Sequence, residues 1–282
     1  MPVILAHNNY GKSRIRMVRV ARHGDRHDLQ DLTVNISFEG DFEAAHTSGD
    51  NFKILPTDTM KNTVYALAGQ VPMIEEIDSF ALRLADHFLD HHSQISRVII
   101  EIAENQWPRI AVGGKPHQHS FTKGSDEKRL ARIMATREET TVESGIEDLL
   151  VLKTTMSGFF SFLKDEYTTL AETADRIFST AIKATWLYSR PSAASAAIWH
   201  GTRQLILETF AQHDSLSVQH TLYAIGQAVL ESYEDLIEIS LSMPNRHCLR
   251  VDLSPFGMDN NNEIFVPTDE PHGLIEARLT KL

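Results

Sequence analysis

Five short segments of this chain carry side chains that could grip a flat polar ligand or move protons. They are Asn9-Tyr10-Gly11-Lys12, Thr57-Asp58-Thr59-Met60-Lys61-Asn62-Thr63, the run from Phe159 to Arg176, Ser217-Val218-Gln219 and Pro244-Asn245-Arg246-His247. Thr57 and Asp58 stand where a helix pattern begins, with Thr57 expected as its N-cap. A helix start leaves N–H groups pointing outward, so the same residues could bind an anionic or carbonyl-rich ring edge. Ser217-Val218-Gln219 opens a second helix in the same way, and two such starts could frame one flat, acidic ligand. Asn245 and His247, two apart in a strand, share one face. The polar run from Phe159 to Arg176 places aromatic and cationic groups without building core. On residue type alone, Lys12 and Arg176, each just before a strand, read as solvated charges, and Phe159 reads equally as core.

The elements that must position these groups follow from hydrophobic periodicity. Leu32, Val34, Ile36 and Phe38 alternate with Thr33, Asn35, Ser37 and Glu39, the two-residue period of a half-buried strand. Residues 13–22 are expected to pair with it as a hairpin. Ile77, Ala81, Leu84 and Phe88 fall at helical spacing, predicting an amphipathic helix over 74–91, and alternation returns at Val98, Ile100 and Ile102. The second half repeats this order, with strands over 146–153 and 177–188, helices over 193–212 and 218–233, and strands over 236–242 and 247–253. Thr63-Val64-Tyr65-Ala66-Leu67 is echoed by Thr221-Leu222-Tyr223-Ala224-Ile225, a faint sign of duplication. Strands grouped with strands and helices with helices predict an α+β fold with a mostly antiparallel sheet. No Pro, Gly or Ser linker separates the halves, so one continuous sheet is expected.

Composition narrows the functions. Of 282 residues, 42% are hydrophobic and 23% charged, enough for a sizeable core, and the formal charge of −11 disfavours nucleic acid and anionic membrane surfaces as partners. The single cysteine, Cys248, cannot form an internal disulfide and fits a reducing compartment. The start Met-Pro-Val-Ile-Leu-Ala-His has no secretory pattern, and no stretch has membrane-spanning length. His87 and His91 lie one helical turn apart, and His92, His117 and His119 add candidates, but no His-Glu-x-x-His or telling third ligand accompanies them, so no metal is expected. Gly11-Lys12-Ser13 resembles the end of a P-loop, but Ala6 stands where its first glycine belongs. Arg22-His23-Gly24-Asp25-Arg26 matches the phosphate-binding signature of histidine phosphatases, with His23 as phosphoryl acceptor and Arg22 and Arg26 as clamp. The alternating strand that follows argues instead for a charged hairpin turn.

The five opening segments, in their order from residue 9 to residue 247, resemble the urate oxidase family over nearly the whole chain. Asp41-Phe42-Glu43-Ala44-Ala45-His46-Thr47 and Asp252-Leu253-Ser254-Pro255-Phe256-Gly257 are similar to its bacterial members. The resemblance implies two tandem tunnelling-fold halves, 1–140 and 141–282, with an antiparallel sheet carrying helices on one face. It implies conversion of urate, O2 and water to 5-hydroxyisourate and H2O2 without cofactor, urate itself being the electron donor. Lys12, Thr57 and His247 would form the proton relay, with Lys12 the base, its amine kept neutral by burial. Asn245 would hold O2 and later water above the ring, while Thr57, Asp58, Phe159, Arg176, Val218 and Gln219 hold the purine. It further implies a homotetramer whose sites are shared between subunits. Met156, Gly158 and Ser161 depart from the family's pattern beside the stacking aromatic. A non-catalytic tunnelling-fold purine or pterin binder is the alternative; it would keep Arg176 and Gln219 but need no Lys12. Thr280-Lys281-Leu282 is one conservative change from a peroxisomal address, but the bacterial character points to the cytoplasm.

Overall fold

The computed structural model describes residues 2–282; Met1, part of the N-terminal reading above, lies outside the described residues. The elements run β1 (Tyr10–His23), β2 (Arg26–Gly40), α1 (Glu43–Thr47), α2 (Thr57–Gly69), α3 (Ile77–His91), β3 (Ile95–Asn105), β4 (Arg109–Val112), β5 (Lys115–Phe121), β6 (Lys128–Ala135), β7 (Thr140–Lys153), β8 (Phe178–Tyr188), α4 (Ala196–Gln212), α5 (Val218–Ser232), β9 (Leu236–Arg250) and β10 (Phe265–Thr280). The class is α+β, as the grouping of elements predicts. Two compact units divide the chain, one through Gly145 with Leu187–Trp199, the other Ile146–Trp186 with His200–Leu282.

In the first unit the hydrogen-bonded order is β1-β2-β3-β6-β7, and the ladders β1–β2, β2–β3 and β3–β6 are antiparallel. Leu32, Val34, Ile36 and Phe38 are all at most 2% exposed while their alternates reach solvent, so the sheet has one dry face. The stripe Ile77, Phe80, Ala81, Leu84, Ala85 and Phe88 of α3 is buried and supplies the helix side of this core. The helix begins at Ile77 rather than 74 because the residues before it are spent elsewhere. The Ile74 amide and carbonyl pair with the Gln30 side chain (3.2 and 2.7 Å), and Glu76, the extended N-cap, reaches Arg129 at 2.6 Å. Arg129 also pairs with the buried Asp78 (2.8 Å), which accepts from the Ser144 hydroxyl at 2.6 Å.

β1 and β2 close at His23↔Arg26, leaving Gly24-Asp25 as a two-residue turn with Gly24 at φ +63°. Arg22 and His23 are successive strand residues and face opposite sides of the ribbon. The histidine-phosphatase clamp therefore has no convergent site, and the segment is the charged turn.

In the second unit the order is β7-β8-β9-β10. Along β7 the buried set changes from Val142, Ser144 and Ile146 to Leu149 and Val151, with Asp148 at φ +60° between them. α5 packs on β9 and β10 through Val218, Leu222, Ile225 and Val229. β9 is one strand where the sequence pattern predicts two. Pro244 removes one ladder donor, but Met243 and Asn245 keep partners Ile275 and Gly273 on β10, so the strand runs through.

Candidate active site

Two groups of expected site residues assemble, one in each unit. In the first, Lys12 follows Gly11, where a Cβ would lie 1.9 Å from the Ile36 carbonyl oxygen. Only glycine lets β1 approach β2 that closely. A register shift between Lys12 and Ile15, with Arg14 at φ +57°, then releases the chain, as a bulge does where a side chain must be re-aimed. Two residues earlier, Tyr10 anchors this end of β1. Its hydroxyl accepts from the Leu55 N–H at 2.9 Å and donates to the Leu55 carbonyl at 3.3 Å, while its ring packs edge-on to Phe38 and Phe42. Leu55 lies two residues before Thr57, so one phenol ties the Lys12 strand to the start of α2. Burial pushes the Tyr10 hydroxyl up from its ordinary pKa, against the opposing pull of Leu55.

Thr57 is not the N-cap; Pro56 occupies that position with no side-chain cap, and Thr57 is the first helical residue. Pro56 supplies the rigid entry, and the Thr57 hydroxyl is left without a hydrogen-bond partner among the described residues. The Pro56 carbonyl accepts from the N–H groups of Thr59 and Met60 (2.9 and 3.3 Å), leaving those of Thr57 and Asp58 open. Asp58 is exposed and held by Lys61 and by the Asn62 amide at 2.9 Å. Lys61 holds its carboxyl below the usual range, with Asn62 and Lys12 adding to the effect.

In the second unit a strap around Phe159 meets the start of α5. The Gly158 N–H donates to Ser215 (2.8 Å), the Ser215 N–H to Met156 (2.9 Å) and the Arg176 N–H to Ser157 (2.7 Å). Phe159 and Thr173 exchange backbone bonds of 2.8 and 3.0 Å. The Ser215 hydroxyl donates to the Ser217 carbonyl (3.0 Å) and accepts from Thr221 (2.6 Å), and Ser217 caps α5 by accepting from the His220 N–H (3.1 Å). Val218 is buried and Gln219 exposed in the first turn, their N–H groups open like those of Thr57 and Asp58.

The Arg176 guanidinium lies 5.5 Å from the Phe159 ring centroid. It has no carboxylate partner among the described residues, its Nε is buried without a hydrogen bond, and desolvation alone lowers its pKa. A desolvated cation beside an aromatic face, with its donors unused, is suited to a planar anion. Asn245 and His247, half-buried on β9, pair with Gly273 and Thr268 on either side of a break in the β9–β10 register. Neither side chain has a hydrogen-bond partner among the described residues, and no hydrogen bond or ring contact joins them to Arg176 or Phe159. Tyr10, Ser157 and Phe162 are absent from the sequence-predicted site residues; Tyr10 and Phe162 stand inside two of the motifs, whereas Ser157 lies just before the Phe159 to Arg176 run. Among the histidines, His87 and His91 stack at 4.4 Å, and no three His, Cys, Asp or Glu side chains converge as a metal set among the described residues.

The model of the Uricase family matches residues 8–134 and 142–276. The uricase of Arthrobacter globiformis is 42% identical over 279 residues, covering 99% of this chain and 90% of that protein. The uricase of Cyberlindnera jadinii is 34% identical, covering 100% of this chain and 98% of its own length. The crystal structure of uricase from Arthrobacter globiformis superimposes with a TM-score of 0.94, covering 100% of this chain and 96% of that one. Matches of this extent, in sequence and in fold, make the chain a member of the uricase family.

Proposed function

We propose that this chain oxidises urate, consuming O2 and H2O and releasing 5-hydroxyisourate and H2O2. The atoms balance: the purine loses two electrons to O2, which leaves as peroxide, and water supplies the new hydroxyl oxygen. The observation that carries the reading is Arg176, a desolvated guanidinium without a carboxylate, beside Phe159. Arg176 would donate two parallel bonds to a carbonyl and an adjacent ring nitrogen of the urate anion. Gln219 closes on the opposite edge, Phe159 stacks on the ring, and Val218 lines it. The open N–H groups at Thr57 and Asp58 take the remaining carbonyl edge. Lys12, as base, removes a proton and passes it through the free Thr57 hydroxyl to His247, and Asn245 holds O2 and then water over the ring. Because urate is the electron donor, no flavin, haem or metal enters the reaction.

The two groups lie in different halves, 1–140 and 141–282, and we place them in one centre by assembly of a homotetramer in which each site takes residues from two subunits. Among the described residues no helix is long and apolar enough to cross a membrane; we assign the protein to the cytoplasm. The test is urate loss in the near ultraviolet by enzyme dialysed exhaustively against chelator, with O2 uptake and peroxide followed together. Equal molar amounts of all three support the reading. Binding without turnover would make the chain a purine-binding member of the fold, and activity restored only by a metal would end the cofactor-free assignment.

A further inference from the structure

Phe162 is one of two residues between Phe160 and Glu172 that are not exposed, the other being Thr168. Nothing in an exposed loop requires a half-buried phenyl ring, yet the chain is built to put one there. Ser161 adopts φ +57°, a left-handed conformation that a serine pays for in strain, and this turn folds residue 162 back on residue 159. The Phe162 ring then lies 4.8 Å from that of Phe159, at 13° from parallel. The Phe159–Thr173 backbone pair closes the loop, and the Lys164–Glu172 ion pair (2.9 Å) draws its arms together with the Lys164 ammonium 5.4 Å from the Phe162 centroid. Asp165 accepts from the Tyr167 N–H (3.0 Å) and the Thr168 hydroxyl (2.8 Å), so the loop has internal order of its own.

We propose that Phe162 is a positioning residue that backs the substrate-stacking ring: it covers one face of Phe159 and fixes the plane in which the other face meets the purine. This rests on the assignment of Phe159 as the stacking aromatic. A phenyl ring with one free face has freedom about χ2, and an offset partner at van der Waals distance removes it at the cost of ordering a loop rather than of adding core. Stacking is felt equally by bound substrate and transition state, so loosening Phe159 weakens binding more than turnover.

The experiment compares wild type with Phe162→Ala, Phe162→Leu and Phe162→Tyr in the full-length assembled enzyme, measuring KM and kcat for urate, the competitive inhibition constant of xanthine, and the thermal midpoint. An aromatic pair of this kind corresponds to a roughly 3- to 10-fold change in binding. The expected result is that Phe162→Ala raises KM and the xanthine constant together by that factor with kcat within twofold, that Phe162→Leu, of similar volume, also fails, and that Phe162→Tyr restores wild-type values. Unchanged constants in Phe162→Ala overturn the proposal. So does tighter binding, which would mean that Phe162 covers the very face the substrate needs, and so does a loss of kcat that follows a lowered thermal midpoint with Phe162→Leu rescuing. Wild-type enzyme that does not oxidise urate at all would instead overturn the proposed function, whatever Phe162 does.

Discussion

Arg176 is buried enough to be desolvated, has no carboxylate among the described residues and keeps its Nε unpaired. In the free protein such a cation is a cost, because taking a guanidinium partly out of water without a counter-ion is unfavourable. Substitution should therefore move activity and stability in opposite directions. Arg176→Lys keeps the charge but replaces the planar fork with a single ammonium that cannot make two parallel bonds. With charge-assisted hydrogen bonds contributing about 1.5–3 kcal/mol each, losing the fork should reduce kcat/KM by roughly 2–4 kcal/mol, or about 30- to 1,000-fold. Arg176→Met, similar in length and uncharged, should abolish measurable urate oxidation while leaving the urea midpoint equal to or above that of wild type. Initial rates across a urate series and equilibrium urea unfolding give both numbers. A kcat/KM within threefold of wild type for Arg176→Lys, or a clear loss of stability in Arg176→Met, would show that Arg176 is structural and refute the assignment.

Tyr10→Phe removes both hydrogen bonds to Leu55 while keeping the edge-on contacts with Phe38 and Phe42; it should cost about 1–3 kcal/mol in urea unfolding and lower kcat more than it raises KM, because the tie between Lys12 and Thr57 is loosened. Ser161→Gly relieves a left-handed serine at φ +57° and should raise stability by about 1 kcal/mol with the steady-state constants unchanged; a lower thermal midpoint would contradict the strain. His213, whose pKa is lowered by burial and then by His220 and Lys153, lies 4.3 Å ring to ring from His220. Its folded pKa is depressed, so its contribution to stability is present above the unfolded value of about 6.5 and is lost as pH falls through the lower folded value. The urea midpoint should therefore drop from pH 7.5 to pH 5.5, and drop less in His213→Gln.

Much of the fold was legible because apolar residues on a one-sided sheet repeat every second position: Leu32 to Phe38 and Val98 to Ile102 could be read directly. The long strand β9 was not, since Pro244 imitates a break, and whether the strand continues is decided by β10. β10 itself was missed; Phe265–Thr280 has mostly exposed residues and a register break, so it lacks the alternation that marks a half-buried strand. The candidate site was legible as motifs and not as geometry. Ser217 was expected at the helix opening and is the cap, whereas Thr57, with the same type of side chain, was expected as a cap and is the first helical residue behind Pro56. Residue type alone does not separate those two cases. Phe162 stands inside the Phe159 to Arg176 run, but its role depends on a left-handed turn at Ser161, a non-glycine position for which composition gives no warning.

Under the proposed function the Lys12 group and the Arg176 group form a single centre contributed by two chains. Lys12→Met and Arg176→Ala, each inactive alone, should be unfolded, mixed in equal amounts and refolded together, with mixed assemblies confirmed before urate loss is followed. At random assembly about half of the sites receive an intact first group and, independently, about half an intact second group, so roughly a quarter of wild-type activity should return. Activity no higher than that of either variant alone, in confirmed mixed assemblies, would contradict the shared centre.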